Sequence, residues 1–203
     1  MRLFHSPTTP FGRKVMVLLM ETGQAGDIEV VGSAGTPLDS AGMPTAQNPL
    51  GKIPALELDD GTAIYDSRVI CRYLDARAGG RLYPEAPGLW RTLTLEATAD
   101  GMLDAAILMV YETRLRPEDK RFAPWVEGQW AKVARALDAL EASWTDHLNG
   151  PLDMGAVAVG CALSYLDFRH GARHWRQARP KLAAWYGTFS QRDSMTATEP
   201  PPA

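Results

Sequence analysis

The stretch that decides the fold is Ile53-Pro-Ala-Leu-Glu-Leu58, Asp59-Asp-Gly61, Thr62-Ala-Ile-Tyr65 and then Asp66-Ser67. Ile53 to Leu58 alternates around Pro54, a residue tolerated at the start of a strand. Asp59-Asp60-Gly61 is a turn, and Thr62 to Tyr65 brings the chain back, so the two segments read as a hairpin. Asp66 and Ser67 are N-cap residue types, and Val69, Ile70, Tyr73 and Leu74 behind them share one helical face. This half therefore reads β-β-α. Towards the N-terminus, Leu3 to His5 is a short apolar strand that stops at Ser6-Pro7. Beyond it, Phe11, Val15, Leu18, Leu19 and Thr22 have helical spacing, with Thr9 as N-cap and Pro10 in the first turn. Gly23 and Gly26 bracket the end of that helix. Ile28 to Val31 is β-branched and suits a parallel strand. Residues 32–51 are rich in Gly, Pro, Ser and Thr, with room for at most one helical turn. The order of the first third is βαβ-ββα.

Towards the C-terminus, Gly79-Gly80, Pro84 and Pro87 are clustered breakers, and strand signals end at Gly88. Four helices are expected: Leu89 to Arg114, Trp125 to His147, Asp153 to Arg169 and Pro180 to Phe189. The third is apolar nearly all round from Ala156 to Leu163, the mark of a buried helix. The expected organisation is a domain over 1–78, a linker over 79–87 and an all-helical domain over 88–195. Residues 196–203, with three consecutive prolines, are expected to form a disordered tail. Composition agrees with two packed domains: of 203 residues 45% are hydrophobic and 22% charged, which excludes disorder of the whole chain. With 21 basic and 24 acidic side chains the net charge is −3, which excludes a basic nucleic-acid binder. Two cysteines, Cys71 and Cys161, exclude a disulfide-stapled scaffold. There is no secretory signal pattern and no apolar run of about 18 residues, so no membrane span is expected. The default is a reduced, cytoplasmic protein.

Three stretches carry a resemblance: Ser6-Pro-Thr-Thr-Pro-Phe-Gly-Arg-Lys14, Asn48-Pro-Leu-Gly-Lys-Ile-Pro-Ala-Leu56 and Tyr65-Asp-Ser-Arg-Val-Ile-Cys-Arg-Tyr-Leu74. With them, and with Tyr165-Leu-Asp-Phe-Arg169, the chain resembles the cytosolic glutathione S-transferase family, bacterial type, over essentially its whole length. The resemblance implies an α/β thioredoxin-like domain followed by an all-α helical bundle. It implies glutathione as co-substrate, a small electrophilic second substrate, a role in detoxification, and a homodimer.

It also distributes roles. The Ile53–Pro54 bond is implied to be cis, leaving the N–H and C=O of Ile53 to pair with an extended tripeptide as an added strand. The helix start at Asp66-Ser67 offers free N–H groups and partial positive charge to the γ-glutamyl carboxylate. There Ser67 adds a hydroxyl donor and Asp66 accepts from the ligand's ammonium. The family more often has Glu at the place of Asp66, one methylene longer. Lys52 is the candidate for the glycine carboxylate. A transferase needs glutathione as its thiolate. Thr9, directly before Pro10-Phe11 where related classes place Ser or Cys, is the first candidate donor. The N–H groups at the start of the Phe11 helix assist it, and Ser6 and Thr8 are the fallbacks. The alternative for Thr9 is a helix cap alone. No Cys-x-x-Cys is present, so dithiol exchange by the protein itself is not expected. Met102, Met109 and Tyr111 are the candidates for an electrophile pocket along the long helix from Leu89.

Two rivals remain on this sequence: a glutathione-dependent reductase of disulfides or peroxides, and a non-catalytic glutathione-binding or regulatory module. Three further features read as structural. Asp153 can cap the third helix of the second domain, but the third residue after it is Ala156, so half of a capping box is missing and a local stability deficit is expected. His170 and His174 have ligand-like spacing, but Gly171 interrupts them, and a solvated loop end is expected instead of a metal site. Cys71 and Cys161 are expected to be buried thiols.

Overall fold

The computed structural model describes residues 1–202. Its chain forms two compact units, one from Met1–Glu85 with Asp193–Pro202, the other from Ala86–Arg192.

The first unit is built on a four-stranded sheet in the order β2-β1-β3-β4. β1 (Arg2–His5) pairs in parallel with β2 (Glu29–Gly32), Leu3 opposite Val30. The parallel pair requires a crossover, which is α1 (Pro10–Glu21). β3 (Ala55–Glu57) runs antiparallel to β1, Phe4 opposite Ala55, and β4 (Ala63–Ile64) closes the hairpin, Leu56 opposite Ile64. α2 (Ser67–Arg77) follows. Leu3, Val15, Leu18, Leu56, Ile70, Cys71 and Leu74 are fully buried and form the core. Each large aliphatic among them contributes about 2 kcal/mol of transfer free energy.

The segment after α2 is tied down. Asp75, buried at the end of α2, accepts backbone N–H bonds from Arg81, Leu82 and Tyr83 at 3.1, 2.9 and 3.1 Å. Gly79 and Gly80, at φ +97° and +71°, make the turn that brings those N–H groups to it.

The C-terminal segment departs from expectation. Residues 193–197 form α8, and Ser194 and Met195 are buried. Arg13 of α1 donates to the Met195 carbonyl at 2.8 Å and to Thr198 Oγ1 at 3.2 Å. Ser194 Oγ donates to Glu21 at 2.5 Å. The outer side of α1 is thereby covered, which is why Arg13 is only 5% exposed. The prolines act as a stop after these anchors, and the expected disordered tail begins within a helix. Ala203, the last residue of that tail, lies outside the described residues.

The second unit is helical. α3 (Gly88–Arg114) and α6 (Met154–His170) form its centre, with α4 (Ala123–Ser143), the short α5 (Thr145–Leu148) and α7 (Pro180–Phe189) around them. α6 is buried from Met154 to Leu166. Gly155 permits its close approach to α3, because a Cβ there would stand 2.8 Å from Leu95 Cβ and 3.0 Å from the Thr92 carbonyl. The single helix expected from Trp125 to His147 is two. The first begins two residues earlier, at Ala123 with Pro124 in its first turn, and ends at Ser143, with Trp144 as the junction to α5.

Candidate functional site

Strand pairing alone brings three candidate segments to one end of the sheet. Phe4 pairs with Ala55, so the loop after His5 lies beside Ile53-Pro54. Leu56 pairs with Ile64, so the chain leaving β4 reaches Asp66 at that same end. Thr9, Ile53 and Ser67 therefore gather where α1 and α2 both begin.

Thr9 is the N-cap residue of α1, with extended backbone at φ −89° and ψ 121°, but its side chain makes no capping hydrogen bond. Its N–H donates to the Ser6 carbonyl and its carbonyl accepts from Arg13. Oγ1 has no partner among the described residues. Pro10 has no N–H, and the N–H groups of Phe11 and Gly12 are likewise not taken up. One half-buried hydroxyl and two amides thus stand unpaired at the positive end of a 12-residue helix. The fallback hydroxyls are engaged with each other, Ser6 Oγ lying 3.3 Å from Thr8 Oγ1.

Beneath them sits a residue that the motifs did not bring out. His5 is 7% exposed, and its Nδ1 is buried without a hydrogen-bond partner. A Cβ on Gly12 would lie 2.1 Å from His5 Nδ1 and 2.7 Å from Thr9 Cγ2. Gly12 is therefore required by the imidazole. Burial pushes the His5 ring down to about 4, which keeps it neutral at physiological pH. One signal was available: His5 shares the inward face of β1 with Leu3, two residues away.

The Ile53–Pro54 peptide bond is cis. The loop before it is shaped by Asn48, 2% exposed, whose side chain donates to the Lys52 carbonyl at 2.8 Å and accepts from the Leu50 N–H at 3.0 Å. Gly51, at φ +59°, turns the chain between them. No hydrogen bond among the described residues takes up the backbone of Ile53. Lys52 is exposed and forms no ion pair among them.

At α2 the cap is occupied. Asp66 Oδ1 accepts the Arg68 N–H at 3.0 Å, and Oδ2 accepts from the Arg68 guanidinium at 2.9 and 3.3 Å. Partial burial raises the Asp66 carboxyl, but the Arg68 bonds and charge and that of Lys14 outweigh it, and the net position is below the ordinary value. Ser67, 3% exposed, makes no side-chain hydrogen bond among the described residues.

The remaining candidates lie in the helical unit. Met102 and Met109 are buried on α3, and Tyr111 is half-buried. The half of the capping box that Ala156 lacks, an acceptor for the Asp153 N–H, is not supplied by any hydrogen bond among the described residues. Asp153 Oδ1 caps the Ala156 N–H at 2.8 Å, while Oδ2 accepts from Thr92 Oγ1 at 2.5 Å and meets His147 Nε2 at 2.8 Å. Both carboxylate oxygens of Asp153 are thus engaged, so the N-cap itself is formed as expected. His170 is not at a solvated loop end. It ends α6 partly buried, with Nε2 3.0 Å from the Ala106 carbonyl and its ring near Trp130 and Tyr165. No cluster of three or more His, Cys, Asp or Glu suited to a metal occurs among the described residues. Cys71 and Cys161 are buried. No helix among them is long and apolar enough to cross a membrane.

A thioredoxin-like sheet with two helix N-termini at one end, followed by a helical bundle, defines the general class. Two family models match within it: the glutathione S-transferase N-terminal domain over residues 8–77 and the C-terminal domain over residues 123–188. The uncharacterized GST-like protein YibF of Escherichia coli is 32% identical over the full length of both chains. A glutathione transferase family member from Pseudomonas fluorescens Pf-5, solved with bound glutathione, is 50% identical over 98% of each chain, with a TM-score of 0.96. A glutathione S-transferase from Methylobacillus flagellatus KT, also with glutathione bound, is 36% identical over 98% of this chain and 99% of its own, with a TM-score of 0.88. The chain belongs to the glutathione S-transferase family.

Proposed function

We propose that the protein binds glutathione at the end of its sheet and transfers it, as the thiolate, to a soft electrophilic carbon. The observation that carries this reading is the unpaired trio at the start of α1: the Thr9 hydroxyl and the Phe11 and Gly12 amides. An alcohol does not ionise at neutral pH, so Thr9 acts as a hydrogen-bond donor and not as a base. The sulfur's charge is stabilised by Oγ1–H and the helix terminus. The tripeptide backbone pairs with Ile53, and the γ-glutamyl carboxylate takes the Ser67 hydroxyl and N–H. Lys52 pairs the glycine carboxylate. The ammonium shares Asp66 with Arg68. In the reaction a C–S bond forms as the electrophile's leaving group departs with its electron pair, and the thiol proton passes to solvent. On α3, Tyr111, half-buried, is the candidate for contact with the electrophile; Met102 and Met109, also named for that role from the sequence, are buried. The glutathione bound to the two solved relatives supports this assignment.

The same reading places the protein in the cytoplasm as a homodimer that removes electrophiles. Val69 and Tyr73, one turn apart on α2 and 48% and 37% exposed, suit a surface covered by a second copy.

Calorimetric titration with glutathione tests the binding step. Saturable binding below millimolar is expected, and none at millimolar ligand removes the proposal. With binding in hand, turnover of an aryl chloride separates transfer from reduction. Turnover of a disulfide without turnover of any electrophile would make the protein a reductase instead.

A further inference from the structure

We infer that His5 is a positioning residue for the Thr9 hydroxyl: its buried ring, set against Gly12, holds the Thr9 methyl and so turns Oγ1 away from the helix cap. The inference rests on the reading of Thr9 as the thiolate donor. Thr9 occupies the N-cap position with suitable backbone geometry, and yet its side chain does not cap. A threonine side chain has one rotatable bond to its branched carbon, so fixing the methyl fixes the hydroxyl. His5 Nδ1 and Thr9 Cγ2 converge on a single point above Gly12, 2.1 and 2.7 Å from it. The Thr9 methyl and the His5 ring thus border the same space above Gly12, and the hydroxyl lies on the other branch of the Thr9 side chain. No hydrogen bond supports the His5 side of the contact, since Nδ1 has no partner, and the ring carries no charge at neutral pH. His5 acts through its shape. Gly12 completes the arrangement by having no side chain to push the ring away.

The experiment is the thiol pKa of bound glutathione, read from the ultraviolet absorbance of the thiolate in the wild type and in Thr9→Ala, Thr9→Ser, His5→Ala, His5→Leu and the double variant His5→Ala/Thr9→Ser. His5→Ala is expected to raise that pKa by about one unit, an about tenfold loss of thiolate at neutral pH. kcat/KM with an aryl chloride falls about tenfold, with KM for glutathione within about twofold of wild type. His5→Leu refills the inward face of the strand and restores the pKa to within about 0.3 units; it also preserves the test if the alanine variant does not fold. In Thr9→Ser the methyl is already gone, so adding His5→Ala changes nothing further. An unchanged thiol pKa in folded His5→Ala overturns the inference, as does an equal His5→Ala effect in the Thr9→Ser background. An unchanged pKa in Thr9→Ala would remove the reading of Thr9 itself and this inference with it. A shifted Thr9→Ala beside an unshifted His5→Ala removes the positioning role alone.

Discussion

The starts of α1 and α6 carry the same kind of sequence signal and use it in opposite ways. Thr9 and Asp153 both stand at N-cap positions with extended backbone. Asp153 commits its whole carboxylate to structure, one oxygen to the Ala156 N–H and the other to Thr92 and His147. Thr9 commits nothing of its side chain, and leaves two amides unpaired behind it. A cap residue marks where a helix begins. Whether its polar atoms serve stability or a ligand depends on what the rest of the fold brings to it.

The contrast breaks most sharply at Asp153. Asp153→Ala removes the cap and leaves the Thr92 hydroxyl and the His147 ring without their buried partner. A loss of about 4 kcal/mol is expected, a fall of about 10 °C in melting temperature for a chain of this size. The glutathione affinity of the folded fraction should not change. Thermal unfolding followed by circular dichroism reads the first, and calorimetry the second. A melting temperature within a degree or two of wild type would mean that the Thr92 and His147 bonds contribute nothing.

Next in size is the acid response under α1. The folded ring of His5 titrates at about 4, against 6.5 ordinarily. Between those values the unfolded chain binds a proton that the folded one refuses, so stability is complete above about pH 6.5 and is lost as the pH falls to about 4. The loss attributable to His5 between pH 7 and pH 4 is about 3 kcal/mol. Denaturant titrations of wild type and His5→Leu should diverge by that amount on acidification. Parallel acid losses in the two proteins would show that His5 is not held neutral.

Thr9→Ala is the converse of Asp153→Ala. No capping bond is lost, so stability should move by less than about 0.5 kcal/mol. If Thr9 donates to the thiolate as proposed, a charge-assisted hydrogen bond worth about 2 kcal/mol is lost, an about thirtyfold fall in kcat/KM. A protein that instead melts several degrees lower with its kinetics intact would make Thr9 a cap and nothing more.

Much of this contrast could be read from the chain, and what could not has a common cause. The hairpin through Asp59-Asp60-Gly61, the helix from Asp66-Ser67 and the crossover from Pro10 are set by local periodicity and turn chemistry, which a sequence displays directly. The partners of Asp153 lie 61 residues upstream at Thr92 and six upstream at His147, and no local pattern announces a bond between elements. The anchoring of α8 by Arg13 has the same character, across 182 residues, and Pro200 to Pro202 pointed the other way. At the site, residue types at Thr9, Ile53 and Ser67 were visible as motif positions. That the Thr9 hydroxyl makes no cap bond, and that the His5 ring and the Thr9 methyl both border the space above Gly12, are packing facts.

The smallest expected effect sharpens the comparison from a third helix start. Asp66 lies between the two extremes: Oδ1 caps α2, and Oδ2 is exposed enough to meet a ligand but already holds Arg68. Asp66→Asn separates the two duties, because Asn caps as well as Asp but offers no charge to an ammonium. Stability should therefore hold to within about 0.5 kcal/mol. Because Arg68 already neutralises much of the carboxylate in an exposed setting, the electrostatic contribution to the ligand is small. KM for glutathione should rise only about threefold with kcat unchanged, the pattern of lost uniform binding. A rise of a hundredfold would mean that Arg68 gives up Asp66 when glutathione arrives. No rise would assign Asp66, like Asp153, wholly to the helix it caps.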